Sequence, residues 1–356
     1  MEGINLSTFF AGFSSAFYTI YAVQFLTRYP RTRFQTVLGY IFVVWALFNW
    51  KDIVISFPDL YTLEVLDGIM LIEGWSALTY TVFIFEITMP GWATWRKLCL
   101  FSVPFLLFTA AYVLWPSQMV INTYAVFLWC YAWTVIIIAF FKVRRYMRYI
   151  RQNYSNIDEI DISWLRPVFV FCILSQLLWL ATSLIMNVYV DALYYILTIL
   201  LWVMVLRYTR HFHPVVVPAV VPTVSAVVPS DSAAKDYPFK ERLEQVINQD
   251  AIYLDKHLTL DDMAKAIGTN RTYMSDYFNN VVGKPFFDYV NQQRITRKSI
   301  PMMQAHPEYT LEYIAEQSGF GSISTFRRAF QRLMGKSPSQ WRQDLAFEPR
   351  EDSEVG

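Results

Sequence analysis

HFHPVVVPAVVPTVSAVVPSD, residues 211–231, is apolar enough to suggest lipid, yet it carries Pro214, Pro218, Pro222 and Pro229. Whether this stretch crosses a membrane decides on which side everything after it lies. In hydrocarbon, every backbone N–H and C=O must be satisfied within the segment. Repeated prolines remove donors and clash with the preceding turn. Proline among valines favours an extended, polyproline-like chain. The stretch therefore reads as a Pro/Val/Ala-rich linker over residues 214–238, reaching at most about 75 Å at ~3.1 Å per residue. It separates two parts of the chain that differ in chemistry.

The 356 residues hold 30 Lys and Arg and 29 Asp and Glu, a formal net charge of +1. That balance hides a division. Residues 1–213 hold 14 of the basic residues and 11 of the acids, and the shorter remainder holds the rest. Cys99, Cys130 and Cys172 lie in apolar runs without C-x-x-C spacing. They read as small buried hydrophobes rather than a disulfide or zinc framework. His211, His213, His257 and His306 all fall outside the apolar runs, which argues against a bis-His haem. No G-x-S-x-G, H-E-x-x-H, Walker or kinase signature is present. The sequence thus points away from an enzyme and implies no cofactor and no metal.

Crossing a bilayer takes about 20 apolar residues. Seven runs qualify, roughly 6–27, 35–56, 67–89, 98–115, 120–141, 167–187 and 192–209. The first, LSTFFAGFSSAFYTIYAVQFLT, is too long for a signal-peptide core and is expected to be retained. Thirteen of the 14 basic residues before position 214 fall in alternate connections: Arg28, Arg31 and Arg33; Arg96 and Lys97; the stretch 142–166; and Arg207 with Arg210. Only Lys51 falls elsewhere. The positive-inside rule then places the N-terminus outside and the end of the seventh run in the cytoplasm. Trp50, Trp92, Trp95, Trp115, Tyr189 and Tyr208 lie at run ends, as interfacial belts do. Polar residues within spans are costly and nominate sites. Glu73 is the first candidate for sensing a signal, with Asn49 and Gln176 beside it. Lys51 and Asp52 are expected to pair or snorkel, and Glu86 to reach water or Arg96. No internal symmetry or broken span of the transporter kind is evident.

After the linker the chain reads itself twice. LTLDDMAKAIG (258–268) returns as YTLEYIAEQSG (309–319), and YFNNVVGK (277–284) as AFQRLMGK (329–336), at offsets of 51 and 52. Thr259 and Thr310 are N-cap residues followed by acids, and Gly268 and Gly319 stand where a left-handed turn ends each helix. Second helices are expected near 270–281 and 322–333, closed by Gly283 and Gly335. Between the copies, KPFFDYVNQQRITRKSIPMMQ reads as a connecting helix. Phe286, Tyr289, Val290 and Ile295 would face the core and Arg294, Arg297 and Lys298 would face out, with Pro301 breaking it near its end. From Lys284 to Arg342 nine basic residues stand against four acids, an excess suited to phosphate contact.

With LTLDDMAKAIGTNRTYMSDYF, GKPFFDYVNQQRI, YTLEYIAEQSGFGSISTFRRAF and GKSPSQWR, residues 239–343 resemble the AraC-type DNA-binding domain. The resemblance implies two helix-turn-helix units whose second helices enter successive major-groove segments about one turn (~34 Å) apart. It places Arg271, Thr272, Ser275, Asp276 and Asn279 of the first recognition helix toward DNA. In the second helix it places Ile323, Ser324, Arg327, Arg328 and Arg332 there. Met274, Phe278, Phe326 and Phe330 would be core. Arg328 is the prime candidate for reading guanine. Asp276 and Ile323 depart from the family's habit of basic and polar contacts: the first would accept from cytosine but repel phosphate, and the second is limited to a thymine methyl.

The expected molecule is all-α. A seven-helix transmembrane bundle (1–213), expected to be sensory, precedes the linker, a cytoplasmic AraC-like domain (239–345) and an acidic, disordered tail (346–356). Its expected function is to couple a small-molecule or membrane signal to transcription. Its expected partners are double-stranded promoter DNA, the lipid bilayer of a bacterial inner membrane, RNA polymerase and a second copy in a homodimer. The competing reading is a membrane interaction or transport protein whose AraC-like module binds a protein partner.

Overall fold

Long apolar runs become long helices in the computed structural model, which describes residues 2–55, 63–185, 188–209, 212, 215–217 and 237–347. The linker therefore lies largely outside the described residues, as does the tail beyond residue 347. The chain divides into two compact units. One comprises residues 1–146 and 162–217, the other residues 147–161 and 218–356.

The first unit contains α1 (Glu2–Thr27), α2 (Arg33–Ile55), α3 (Leu63–Gly74), α4 (Ser76–Thr88), α5 (Trp95–Leu114), most of α6 (Gln118–Asn153), α7 (Leu165–Ile185) and α8 (Val188–Thr209). By length and composition, Thr8–Thr27, Asp67–Thr88, Trp95–Leu114, Gln118–Asn153 and Ala192–Thr209 are able to cross a membrane. Helices also form at the other two expected runs. Of these, α2 carries Arg33, Lys51 and Asp52, and the described apolar part of α7 is Leu165–Ser175. The core is aromatic: Trp202 of α8 is fully buried and lies within ring contact of Phe42, Trp45, Tyr80 and Phe83. Apolar side chains also face outward, Leu100, Leu107 and Val113 of α5 among them.

The third run is not one straight helix. At Gly74–Trp75 the ladder tightens, with the Trp75 amide donating to the Ile72 carbonyl instead of to Leu71. The freed Leu71 carbonyl accepts from the Tyr124 hydroxyl of α6 at 3.2 Å. A Cβ on Gly74 would lie 2.1 Å from that hydroxyl, so only glycine permits this approach. The third expected run still forms one candidate span, Asp67–Thr88, and its interruption at Trp75 leans on a partner 53 residues from Leu71.

In the second unit α9 (Lys240–Asn248) and a short 3₁₀ turn precede α10 (Leu260–Ile267) and α11 (Arg271–Tyr277). A π turn at Phe278–Val282 prolongs α11. The connecting helix comprises α12 (Phe286–Arg294), a π turn at Ile295–Ser299 and α13 (Ile300–Ala305). The repeat follows as α14 (Leu311–Gln317) and α15 (Ile323–Met334), with α16 (Pro338–Phe347) last. Each copy owns a core: Met263, Ala264, Met274 and Phe278 in one, Ile314, Ala315, Phe326 and Phe330 in the other. The connecting helix gives Phe286 and Val290 to the first core and Ile295 to the second.

Two expectations about that helix are corrected. Pro301 does not break it. The Ile300 amide already bonds five residues back, to Ile295, so the wider turn accommodates the proline and the helix runs on to Ala305. Arg294 does not face out but is fully buried. Its guanidinium donates to the carbonyls of Tyr253 (2.7 Å), Asp255 (2.7 Å) and Ser155 (3.1 Å). It also donates to the Ser155 hydroxyl and the Asn291 side-chain carbonyl. Burial pushes this guanidinium down to about 10, with the Asp255 and Asp158 carboxylates opposing.

Candidate nucleic-acid interface

Both second helices begin on a capping side chain. Asn270 accepts from the Tyr273 amide at the start of α11, and Ser322 from the Thr325 amide at the start of α15. The helices before them are capped by Thr259, in a full capping box with Asp262, and by Thr310. The turns between are made by Gly268 (φ +81°) and Gly319 (φ +83°). Gly319 is doubly constrained, since a Cβ there would meet the Leu254 carbonyl oxygen at 2.5 Å. Capped helix, glycine turn and second capped helix occur twice, as a helix-turn-helix requires.

Residues 263–344 match the profile of a family described as "Helix-turn-helix domain". The uncharacterized HTH-type transcriptional regulator YdeC of Bacillus subtilis (strain 168) is 33% identical over 101 residues. That is 28% of this chain and 34% of the relative. Uncharacterized HTH-type transcriptional regulators of Staphylococcus aureus strains COL and MSSA476 are 25% identical over 104 residues, 29% of this chain and 14% of each relative. No solved structure matches. The chain spans about a third or less of the length of these relatives, so the likeness concerns its C-terminal part. That part is an AraC-type helix-turn-helix domain.

Within the AraC-type domain, the residues expected at DNA divide into exposed and engaged ones. On α11, Thr272 is exposed and Ser275 half-buried, accepting from Asn279 at 3.4 Å. Arg271 is engaged: its Nε and one terminal nitrogen donate to the Asn153 side-chain carbonyl at 3.0 and 2.6 Å, and its guanidinium lies over the Tyr149 ring. The Asn279 side-chain carbonyl accepts from Gln152 at 3.3 Å. Asp276 is turned inward. It is buried, and it accepts from the Tyr237 hydroxyl at 2.8 Å and from Asn280 at 2.6 Å. Burial first, then this bond, pushes the Tyr237 phenol up to about 12. The carboxylate's surroundings are thus protein rather than solvent.

On α15, Ser324, Arg327 and Arg328 are exposed, while Ile323 packs against the second core. Arg327 faces Glu312 at 3.4 Å. Arg328 donates to the Thr325 hydroxyl at 3.1 Å and lies 3.8 Å from Asp158. Arg332, in the last turn, pairs with Asp288 at 2.7 Å, and Asp288 also holds Arg151 at 3.0 Å.

Asn153, Ser155 and Asp158 were not singled out by the sequence, although they touch Arg271, Arg294 and Arg328. The available signal was SNIDEID (155–161), a run of acids inside the otherwise basic connection 142–166.

In the first unit, Glu73 accepts from Lys51 at 2.9 Å and lines a cavity of about 70 Å³ with Tyr80, Tyr131, Ser175 and Tyr194. Lys51 also pairs with Asp52, which accepts from the Tyr195 hydroxyl at 3.0 Å. Asn49 is buried and donates to the Trp45 carbonyl at 2.8 Å. Gln176 lies on α7, but its side chain is outside the described residues. Glu86 is taken by Arg33 at 3.0 Å and by the amides of Gly91 and Ala93 rather than by Arg96, which corrects the expected partner. Among the described residues no group of three or more His, Cys, Asp or Glu is placed to hold a metal.

Proposed function

We propose that the chain is a membrane-embedded, sequence-specific DNA-binding transcription regulator and not an enzyme. Its AraC-type domain reads double-stranded promoter DNA in the cytoplasm through α11 and α15. Seven spans, with α3 and α4 making one, lie in a bacterial inner membrane with the N-terminus outside. The observation that carries the reading is the pair of capped helix-turn-helix units in a region similar to HTH-type transcriptional regulators.

Arg328 is the base reader and Arg332 a phosphate contact. Thr272, Ser275, Ser324 and Arg327 supply further contacts. Asp276, being inside the domain, supports α11 rather than touching DNA. The signal enters at the Glu73 cavity, whose carboxylate and hydroxyls suit a small polar or amphiphilic ligand. The bound domain then acts on RNA polymerase, and a homodimer would double the site.

The test is a titration of the full-length chain, in lipid nanodiscs, against a duplex from its own upstream region and a scrambled duplex. Preference for the upstream duplex, with affinity falling as salt rises, is the expected result. Equal affinity for both duplexes, or none for either, rejects the reading.

A further inference from the structure

The AraC-type domain is not bare. Residues 147–161 belong to the same compact unit as the domain, although the chain reaches them between the fifth and sixth expected spans. This segment is the end of α6 and the loop before α7. It is pinned at its middle: the Ser155 amide donates to the Leu258 carbonyl at 3.0 Å, Tyr154 bridges Thr259, and Ser155 accepts twice from buried Arg294.

Either side of that pin, the segment reaches the start of both recognition helices. Asn153 occupies Arg271, the first residue of α11, and Gln152 reaches Asn279 further along it. At α15, Asp158 accepts from the Thr325 hydroxyl and lies 3.8 Å from Arg328. Asn156 fills the space beside Gly321, just ahead of the α15 cap, where a Cβ would fall 2.0 Å from its side-chain nitrogen. Recognition helices present their N-terminal residues to base edges, and helix N-termini take phosphate. Here those places hold an amide carbonyl and a carboxylate.

We propose that residues 152–158 are an internal competitor of DNA, a polar clamp with one carboxylate, Asp158, that engages Arg271 and Asn279 of α11 and Thr325 and Arg328 of α15 and must let go of them before the domain enters the major groove. The proposal rests on the DNA-binding reading above. The pin at Ser155 holds, and the flanks on either side of it are the parts poised for release. The second oxygen of Asp158 is buried without a hydrogen-bond partner, so part of its desolvation is uncompensated. Because the clamp takes in the last residues of α6 and the loop that leads to α7, without an intervening domain, rearrangement of those helices by a signal would pull on it directly. Regulation then acts through the connection 142–166 and does not need to pass through the proline-rich linker.

The test compares four forms of the full-length chain in nanodiscs, by fluorescence anisotropy on the upstream duplex. Asp158→Ala and Asn153→Ala should each tighten binding several-fold, and together about tenfold, by raising the binding-competent fraction. The fourth form carries Asp158→Cys and Thr325→Cys in a background where Cys99, Cys130 and Cys172 are alanine. Oxidised, it should lose binding, and dithiothreitol should restore it. Unchanged or weaker binding by both alanine variants, or full binding by the cross-linked form, overturns the clamp while leaving DNA recognition standing. Failure of every form to bind, the reduced and alanine forms included, overturns the DNA-binding reading and the clamp with it.

Discussion

Arg294 and Arg328 carry the same guanidinium into opposite surroundings. Arg294 is sealed among three backbone carbonyls, and Arg328 is 61% exposed at the side chain. The sequence placed Arg294 outward with Arg297 and Lys298 because all three share a face at ordinary helical spacing. The π turn after Arg294 shifts that phase. The carbonyls it satisfies come from residues 39, 41 and 139 positions away, which no local pattern displays. Arg294→Ala should destabilise the domain by about 3–5 kcal/mol, because several buried acceptors lose their donor at once. Arg294→Lys should recover little, since an ammonium cannot span the same fork of acceptors. Thermal unfolding of the full chain followed by tryptic protection of residues 237–347 measures both; a loss under 1 kcal/mol for the alanine variant contradicts the account. Arg328→Ala should leave stability unchanged and cost about 1–3 kcal/mol in binding to the preferred duplex. The expected signature is a loss of discrimination at one base pair, measured against duplexes carrying single substitutions.

Helix ends were legible where the relevant chemistry is local. Thr259, Thr310, Gly268 and Gly319 do at their helix ends what their types and spacing foretold. The break between α3 and α4 was not legible, because Gly74 matters only through Tyr124 on another helix. Two predictions separate these cases. Thr259→Ala removes the acceptor for the Asp262 amide, which is one half of the capping box, and should cost about 1 kcal/mol. Hydrogen exchange should show the loss in the first turn of α10 and not in α14. Gly74→Ala inserts a methyl into the Tyr124 ring and should cost about 1–3 kcal/mol through forced repacking. Trimming the intruding ring with Tyr124→Leu should restore part of the loss. A detergent-solubilised melting series on the single and double variants reads the coupling, and simple additivity would mean the two side chains do not meet.

At the scale of the molecule, the sequence divided the chain at its proline-rich linker, but the second compact unit also takes in residues 147–161. Ordinary sequence reasoning groups a short connection with the spans that flank it. Tertiary bonds, those of Ser155 with Arg294 and of Asn153 with Arg271 among them, assign this one to the domain. Orientation rests on a simpler asymmetry, the basic residues gathered in alternate connections. It makes a prediction independent of DNA binding. In a background lacking Cys99, Cys130 and Cys172, Gln118→Cys at the start of α6 and Arg31→Cys between α1 and α2 lie at exposed positions. A membrane-impermeant maleimide added to intact spheroplasts should label Gln118→Cys and spare Arg31→Cys. Opening the membrane should expose the second. Labelling of Arg31→Cys in intact cells would invert the topology, put the AraC-type domain outside the cell, and leave it no promoter to read.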